Sequence, residues 1–240
     1  MIQFRSVSKK YNHSEIFSLQ DISLTINQGE IFVLLGSSGS GKSTLLKLIN
    51  RLIEPTSGQV LLHNKCIKDT PLVQLRRSMG FVFQNGALFP HMTVEDNIAI
   101  VLKLESIPLK QRLERTHHLL DFIQLPPNKY AKRYPHQLSG GQLQRVSVAR
   151  ALAADPDCLL MDEPFAALDS LTRDGLQNEV LRLRQEFNKT IVFVTHDLAE
   201  AKKLGNRIAV LHQGKLMQQG SFQTLQDRPK TDFVEQLLAA

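Results

Sequence analysis

The sequence predicts an α/β fold: a mostly parallel central sheet, an antiparallel β edge at the N-terminus and an inserted α-helical segment. Three observations predict it. Four short runs are apolar throughout, namely Ile31–Leu35, 158–161, 191–194 and 208–211; strands apolar on both faces belong inside a parallel sheet covered by helices. Between such runs lie helix-period stretches, and Leu176, Val180, Leu183 and Phe187 share one helical face. The N-terminal part reads differently, with alternating patterns over 2–7 and 19–26 that suit antiparallel strands.

Taken in order, residues 59–62 and 66–67 flank a His63-Asn64-Lys65 turn and extend the antiparallel edge. A short helix is expected over 44–50. Thr93, with Asp96 three residues on, resembles a capping box opening a helix through Leu104. A second helix covers 109–125 and is stopped by Pro126-Pro127. Residues 85–155 therefore read as a helical insertion between core segments 1–84 and 156–240, all within one 240-residue domain. A short amphipathic piece, 232–238, closes the sequence.

Composition narrows the function classes. Hydrophobic residues make up 42% and charged residues 22%, which excludes a disordered or fibrous chain. No apolar run approaches the ~18–20 residues that span a bilayer; the longest uncharged stretch, 78–94, contains Gln84, Asn85, Pro90 and His91. The first 13 residues lack the apolar centre of a signal peptide. Cys66 and Cys158 form neither a disulfide framework nor a metal cluster, so a cytosolic chain is expected. The net charge of +6 suits a polyanionic ligand. The basic pairs are scattered, however, and no zinc finger or basic zipper accompanies them, so no nucleic acid is expected as partner.

The chemistry concentrates in three places. Gly36-Ser37-Ser38-Gly39-Ser40-Gly41-Lys42-Ser43 matches the phosphate loop G-x-x-x-x-G-K-[ST]. Its glycines let the backbone curl around phosphate oxygens, and its N–H groups and the following helix start face the anion. Lys42 would reach the β- and γ-phosphates, and the Ser43 hydroxyl would take one Mg²⁺ position. The context of apolar strand, loop and helix supports a P-loop NTPase core. Next, residues 159–161 deliver Asp162 and Glu163 to a strand end. Asp162 is suited to hold Mg²⁺ through water and Glu163 to take a proton from an attacking water. Finally, Leu138-Ser139-Gly140-Gly141-Gln142 opens a helix whose apolar positions are Leu143, Val146, Ala149 and Leu152. Ser139 is a natural N-cap. Two glycines at a helix start cost stability and leave its N-terminus bare, a second anion site.

This set resembles the ATP-binding subunit of an ATP-binding-cassette (ABC) transporter, over essentially the whole chain. The order is a Walker A loop at 36–43, a Q-loop at Gln84, the LSGGQ signature at 138–142, and a Walker B at 158–162 with Glu163. A D-loop at Ala167-Leu168-Asp169 and a switch histidine, His196, follow. The resemblance implies that ATP and Mg²⁺ are the ligands. It assigns catalysis to Glu163, His196 and Gln84, and the metal to Ser43, Gln84 and Asp162. Nucleotide contacts fall to Tyr11, stacking on adenine, to the loop 36–43 with Thr44, to Leu138, Ser139, Gly140, Gly141 and Gln142, and to Asp169. His117 and His118 read instead as solvated, on a polar helix face without a carboxylate partner. Two departures are mild: Leu143 where the family often has Gln, and Ala166 where Gly is frequent.

The resemblance further implies a peripheral ATPase on the cytoplasmic face of the cell membrane, powering separately encoded transmembrane permease subunits and reached only indirectly by a substrate-binding protein. Stretches 49–58, 75–77 and 86–94 look most like ATPases of quaternary-amine (glycine betaine, choline, carnitine) importers, against amino-acid, oxyanion or polyamine importers and efflux or lipoprotein-release systems. A DNA-repair relative would need long heptad arms between Lys42 and Ser139, where Pro55, Pro71, Pro90 and Pro108 intervene. A translation factor would carry two cassettes. The sequence stops at Ala240, short of the regulatory C-terminal extension of some relatives, so regulation of that kind is not expected. One phosphate loop and a second glycine-bearing helix start also point to a site shared between two copies.

Overall fold

The computed structural model describes residues 1–12, 15–84, 86–166 and 168–239. Asn85, the expected first residue of the insertion, and Ala167 of the expected D-loop lie outside the described residues. The chain divides into two compact units, Met1–Arg76 with Arg184–Ala240, and Arg77–Leu183.

In the first unit, β1 (Ile2–Lys10) pairs antiparallel with β2 (Phe17–Ile26). Next come β3 (Ile31–Leu35), α1 (Lys42–Ile49), β4 (Ser57–Leu62), β5 (Lys65–Cys66) and the short α2 (Leu72–Arg77). The order β2-β1-β4-β5 makes the expected antiparallel sheet. Its alternation is visible at Ile2, Phe4, Val7, Leu19, Ile22, Leu24 and Ile26, all buried, with polar residues between them. The five residues of β3 are wholly buried. That is the physical content of an apolar run without alternation: both faces are covered.

The second unit holds β6 (Met79–Val82), α3 (Val94–Leu104), α4 (Leu109–Phe122), α5 (Pro127–Tyr130), α6 (Gly140–Leu152), β7 (Cys158–Asp162) and most of α7 (Ser170–Phe187). Strands β6 and β7 are parallel neighbours, with Val82 opposite Met161. Thr93 caps α3, its Oγ1 accepting the Asp96 N–H at 3.1 Å. Helix α4 stops earlier than the proline pair: Ile123 is its C-cap, and Gln124 turns left-handed at φ 59°. Leu176, Val180 and Leu183 are buried, as their spacing requires.

The chain then returns to the first unit through β8 (Thr190–Thr195), α8 (Leu198–Leu204), β9 (Arg207–His212), β10 (Lys215–Gly220), α9 (Phe222–Asp227) and α10 (Asp232–Ala239). β3 lies between β8 and β9, parallel to both, while β10 folds back antiparallel on β9. The register places Leu35 opposite Thr195. Helix α1 covers this sheet with Leu45, Leu46, Leu48 and Ile49, all buried. Among the described residues no helix is long and apolar enough to cross a membrane.

Candidate nucleotide site

In the first unit the phosphate loop spans the gap from β3 to α1. Each glycine has its own steric reason. A Cβ on Gly36 would collide with the Leu211 carbonyl oxygen at the end of β9. Gly41 has φ 101° and would set a Cβ 2.6 Å from the Ser18 carbonyl oxygen. Gly39, at φ 78°, has open space on that side. The loop is thus clamped at both ends and open at its crown, the shape a phosphate needs. Lys42 is buried at 4% exposure, and its ammonium donates to the carbonyls of Gly36 at 2.7 Å and Ser37 at 2.9 Å. Ser40 Oγ is buried with no hydrogen-bond partner among the described residues. An orphaned hydroxyl inside a glycine loop fits an anionic ligand.

Parallel strands deliver their C-terminal ends to one edge, where ligands of α/β sheets sit. Because Leu35 pairs with Thr195, Gly36 and His196 leave adjacent strands side by side. His196 is exposed, and the turn that carries it is hydrogen-bonded on both sides. Thr195 Oγ1 donates to the buried Glu200 at 2.6 Å and accepts the Asp197 N–H at 3.0 Å, while Asp197 caps α8 through the N–H groups of Ala199 and Glu200. Tyr11 is 40% exposed, with its hydroxyl 3.4 Å from Thr44 Oγ1 on α1 and Lys9 over its ring. The structure therefore brings Tyr11, Thr44, the loop and His196 into one unit.

In the second unit the β6–β7 register does the same for Gln84, Asp162 and Glu163. Gln84 follows β6 by two residues, and its Nε2 donates to Glu163 Oε2 at 3.4 Å. Glu163 takes φ 42°, a left-handed conformation that a β-substituted residue adopts only under constraint. Pro164 and Phe165, which follow it, are both buried. Within this unit, Gln84 and Asp162 carry amide and carboxylate oxygens, the hard donor type that Mg²⁺ takes. No cluster of three or more His, Cys, Asp or Glu that would hold a metal occurs among the described residues.

The signature helix corrects one expectation. Its N-terminus is not bare: Ser139 Oγ accepts the Gln142 N–H at 3.4 Å, and Gln142 Oε1 accepts the Ser139 N–H at 3.0 Å. This capping box satisfies two of the orphan donors and leaves the amides of the glycine pair between them. Asp169 uses its carboxylate on Thr172 at the start of α7, accepting the backbone N–H at 3.0 Å and the hydroxyl at 2.7 Å. A second correction concerns His117. It is exposed but lies 3.3 Å from the Glu95 carboxylate, which Lys132 also reaches at 3.0 Å. The α3–α4 packing makes that pair. The hydrogen bond to Glu95 also holds the Lys132 ammonium above its ordinary range.

Two residues escaped the sequence reading. Arg150, on α6, donates to the carbonyls of Ala87 at 2.8 Å and Gly86 at 3.0 Å, tying the segment after Gln84 to the signature helix. Burial lowers its guanidinium pKa. Asn97, fully buried on α3, accepts the Phe89 N–H and donates toward the carbonyls of Phe89, Met92 and Thr93. In the segment it anchors, Phe89 is exposed at 43%, whereas Leu88 and Met92 are half-buried.

A glycine loop at a parallel strand end, with its lysine and an orphaned hydroxyl, defines a P-loop nucleotide-binding protein. The ABC transporter family profile matches residues 19–166, and the chain belongs to that family. It is 46% identical over 238 residues to the choline transport ATP-binding protein of Bacillus subtilis, covering 99% of this chain and 62% of the relative. It is 47% identical over 238 residues to the glycine betaine/carnitine/choline transport ATP-binding protein of the same organism, with the same coverage. It is 46% identical to the glycine betaine uptake system ATP-binding protein of Escherichia coli, covering 98% of this chain and 76% of that one. The chain thus spans about three-fifths of the length of the first two relatives. Among solved structures, a dimeric post-hydrolysis state of an ATP-binding cassette bound to ADP and Pi superposes with a TM-score of 0.84. It is 37% identical, and the match covers 92% of this chain and 98% of that one.

Proposed function

We propose that this chain is the ATP-hydrolysing subunit of a membrane importer of quaternary-amine osmoprotectants. The observation that carries the nucleotide part is the phosphate loop, clamped at Gly36 and Gly41, open at Gly39 and holding the unpartnered Ser40 hydroxyl. In this reading the backbone N–H groups of 36–43 with Lys42 bind the phosphates, Thr44 extends that contact, and Tyr11 stacks on the base. Ser139 and the glycine pair, between Leu138 and Gln142, contact a nucleotide from a second copy, with Asp169 beside them. Ser43, Gln84 and Asp162 would hold Mg²⁺, which when bound neutralises charge on the phosphate oxygens. Glu163 takes the proton of the attacking water, and His196 hydrogen-bonds the γ-phosphate. The quaternary-amine part is supported by the names of relatives that are 44–47% identical over 90–99% of this chain. The substrate passes through permease subunits, to which this chain attaches peripherally from the cytoplasmic side.

Two substitutions test the nucleotide reading. Glu163→Gln should keep ATP affinity and lower phosphate release about 10²–10⁴-fold, the scale of a missing general base. Lys42→Ala should weaken ATP binding itself. Equilibrium binding of a fluorescent ATP analogue and a phosphate-release assay separate the two effects, and wild-type turnover in Glu163→Gln would overturn the assignment. For the substrate, disrupting the chromosomal copy should abolish uptake of radiolabelled choline or glycine betaine in osmotically stressed cells, while uptake of an unrelated amino acid persists.

A further inference from the structure

The two signature glycines stand in different surroundings. A Cβ on Gly140 would meet no atom within 4 Å, so its face is open. A Cβ on Gly141 would fall inside the van der Waals envelope of the Thr172 methyl, Cγ2, in the first turn of α7. Gly141 is buried. The hydroxyl of that same threonine is held by Asp169 Oδ2 at 2.7 Å, and its N–H by Oδ1 at 3.0 Å. One small side chain therefore touches the signature helix with its methyl and the Asp169 loop with its hydroxyl. Further along the same two helices, Arg145 of α6 lies 3.2 Å from the buried Glu179 of α7, a second contact between them, and donates to the Ile123 carbonyl at the end of α4 at 3.1 Å.

We propose that Thr172 is a positioning residue that couples the signature helix to the Asp169 loop, and that Gly141 is glycine because only a hydrogen lets α6 close onto the Thr172 methyl. Gly140 then presents the open face to a ligand, while Gly141 sets how far the helix start protrudes. A shift of the Asp169 loop moves Thr172 through its two hydrogen bonds. The methyl contact passes that shift to Ser139 and Gly140. This deepens the nucleotide reading and rests on it, since positioning matters only if the signature engages a nucleotide.

The test is size complementation. Gly141→Ala should lower the melting temperature by several degrees, against the usual gain from alanine in a helix. It should also cut ATP turnover about a hundredfold, the cost of an ångström-scale misplacement, with ATP affinity at the Walker A loop retained. Thr172→Ser removes the methyl and keeps the hydroxyl on Asp169, so the double variant Gly141→Ala/Thr172→Ser should recover both melting temperature and most of the turnover. Thr172→Val, which keeps methyl bulk and loses the hydroxyl, should fold yet turn over slowly. A double variant as slow as Gly141→Ala while its melting temperature recovers would overturn the positioning role. Gly141→Ala with wild-type melting temperature and turnover would overturn the packing. Failure of the underlying nucleotide reading shows separately, as wild-type turnover in Ser139→Arg.

Discussion

Glu179 sits nearly buried on α7, and its carboxylate oxygens have no aligned hydrogen bond among the described residues. Burial pushes its pKa up from 4.5 to about 7, against the pull of Arg145 and Arg182, which favour the charged form. The folded chain then keeps a proton that the unfolded chain has already lost between pH 4.5 and about 7. A native state that binds the extra proton loses stability as pH rises through that window, and the loss is complete above it. Glu179→Gln removes the titration and keeps the shape. The variant should gain about 2–3 kcal/mol relative to wild type from about pH 5 to about pH 8. Urea denaturation of both proteins at the two pH values reads this difference; parallel pH profiles would assign the carboxylate an ordinary pKa. Nothing local marks Glu179 out. Its burial comes from packing against Arg145, 34 positions earlier in the chain.

At the scale of elements, residues 86–93 have little regular structure of their own and borrow order from two helices. Arg150 of α6 grips the carbonyls of 86 and 87, and Asn97 of α3 grips 89, 92 and 93. Thr93 and Asp96 were legible as a cap because a cap is a local pattern: a hydroxyl and an N–H three residues apart. Asn97 was not, because a buried asparagine one position later looks like any polar residue of a helix. Asn97→Ala should take away the acceptor of the Phe89 N–H and the donor to the Met92 carbonyl, while the Phe89 and Thr93 carbonyls keep the N–H groups of Met92 and Asn97, and cost roughly 2–3 kcal/mol. For a chain of this size that lowers the melting temperature by about 5–10 °C, and amide exchange should accelerate across 86–93. Wild-type exchange there would mean that Arg150 alone holds the segment. The same logic explains His117. Its helix face reads as solvated in sequence, and only α3, packed beside α4, supplies Glu95.

For the whole molecule, the decisive question is how many copies form one site. The phosphate loop belongs to one compact unit and the signature helix to the other, and each carries backbone N–H groups suited to anions. The expectation is a monomer without ATP and a dimer with ATP when Glu163→Gln blocks hydrolysis. Light scattering checks it, and a single monomeric peak with saturating ATP would refute it. By itself the sequence determined what depends on short stretches of chain. These are the buried strands Ile31–Leu35 and Thr190–Thr195, the antiparallel edge, the capped helices, and the order of motifs from Gly36 to His196. Strand burial shows as an unbroken apolar run, a cap as a fixed offset, and a phosphate loop as a glycine spacing, all within about ten residues. Tertiary structure alone decided which residues meet. Leu35 opposite Thr195 puts the loop beside His196, Val82 opposite Met161 puts Gln84 against Glu163, and Thr172 faces Gly141. Those pairings join positions 31 to 160 apart, where no periodicity reaches, because they are set by strand register and helix packing rather than by the local preferences of either partner.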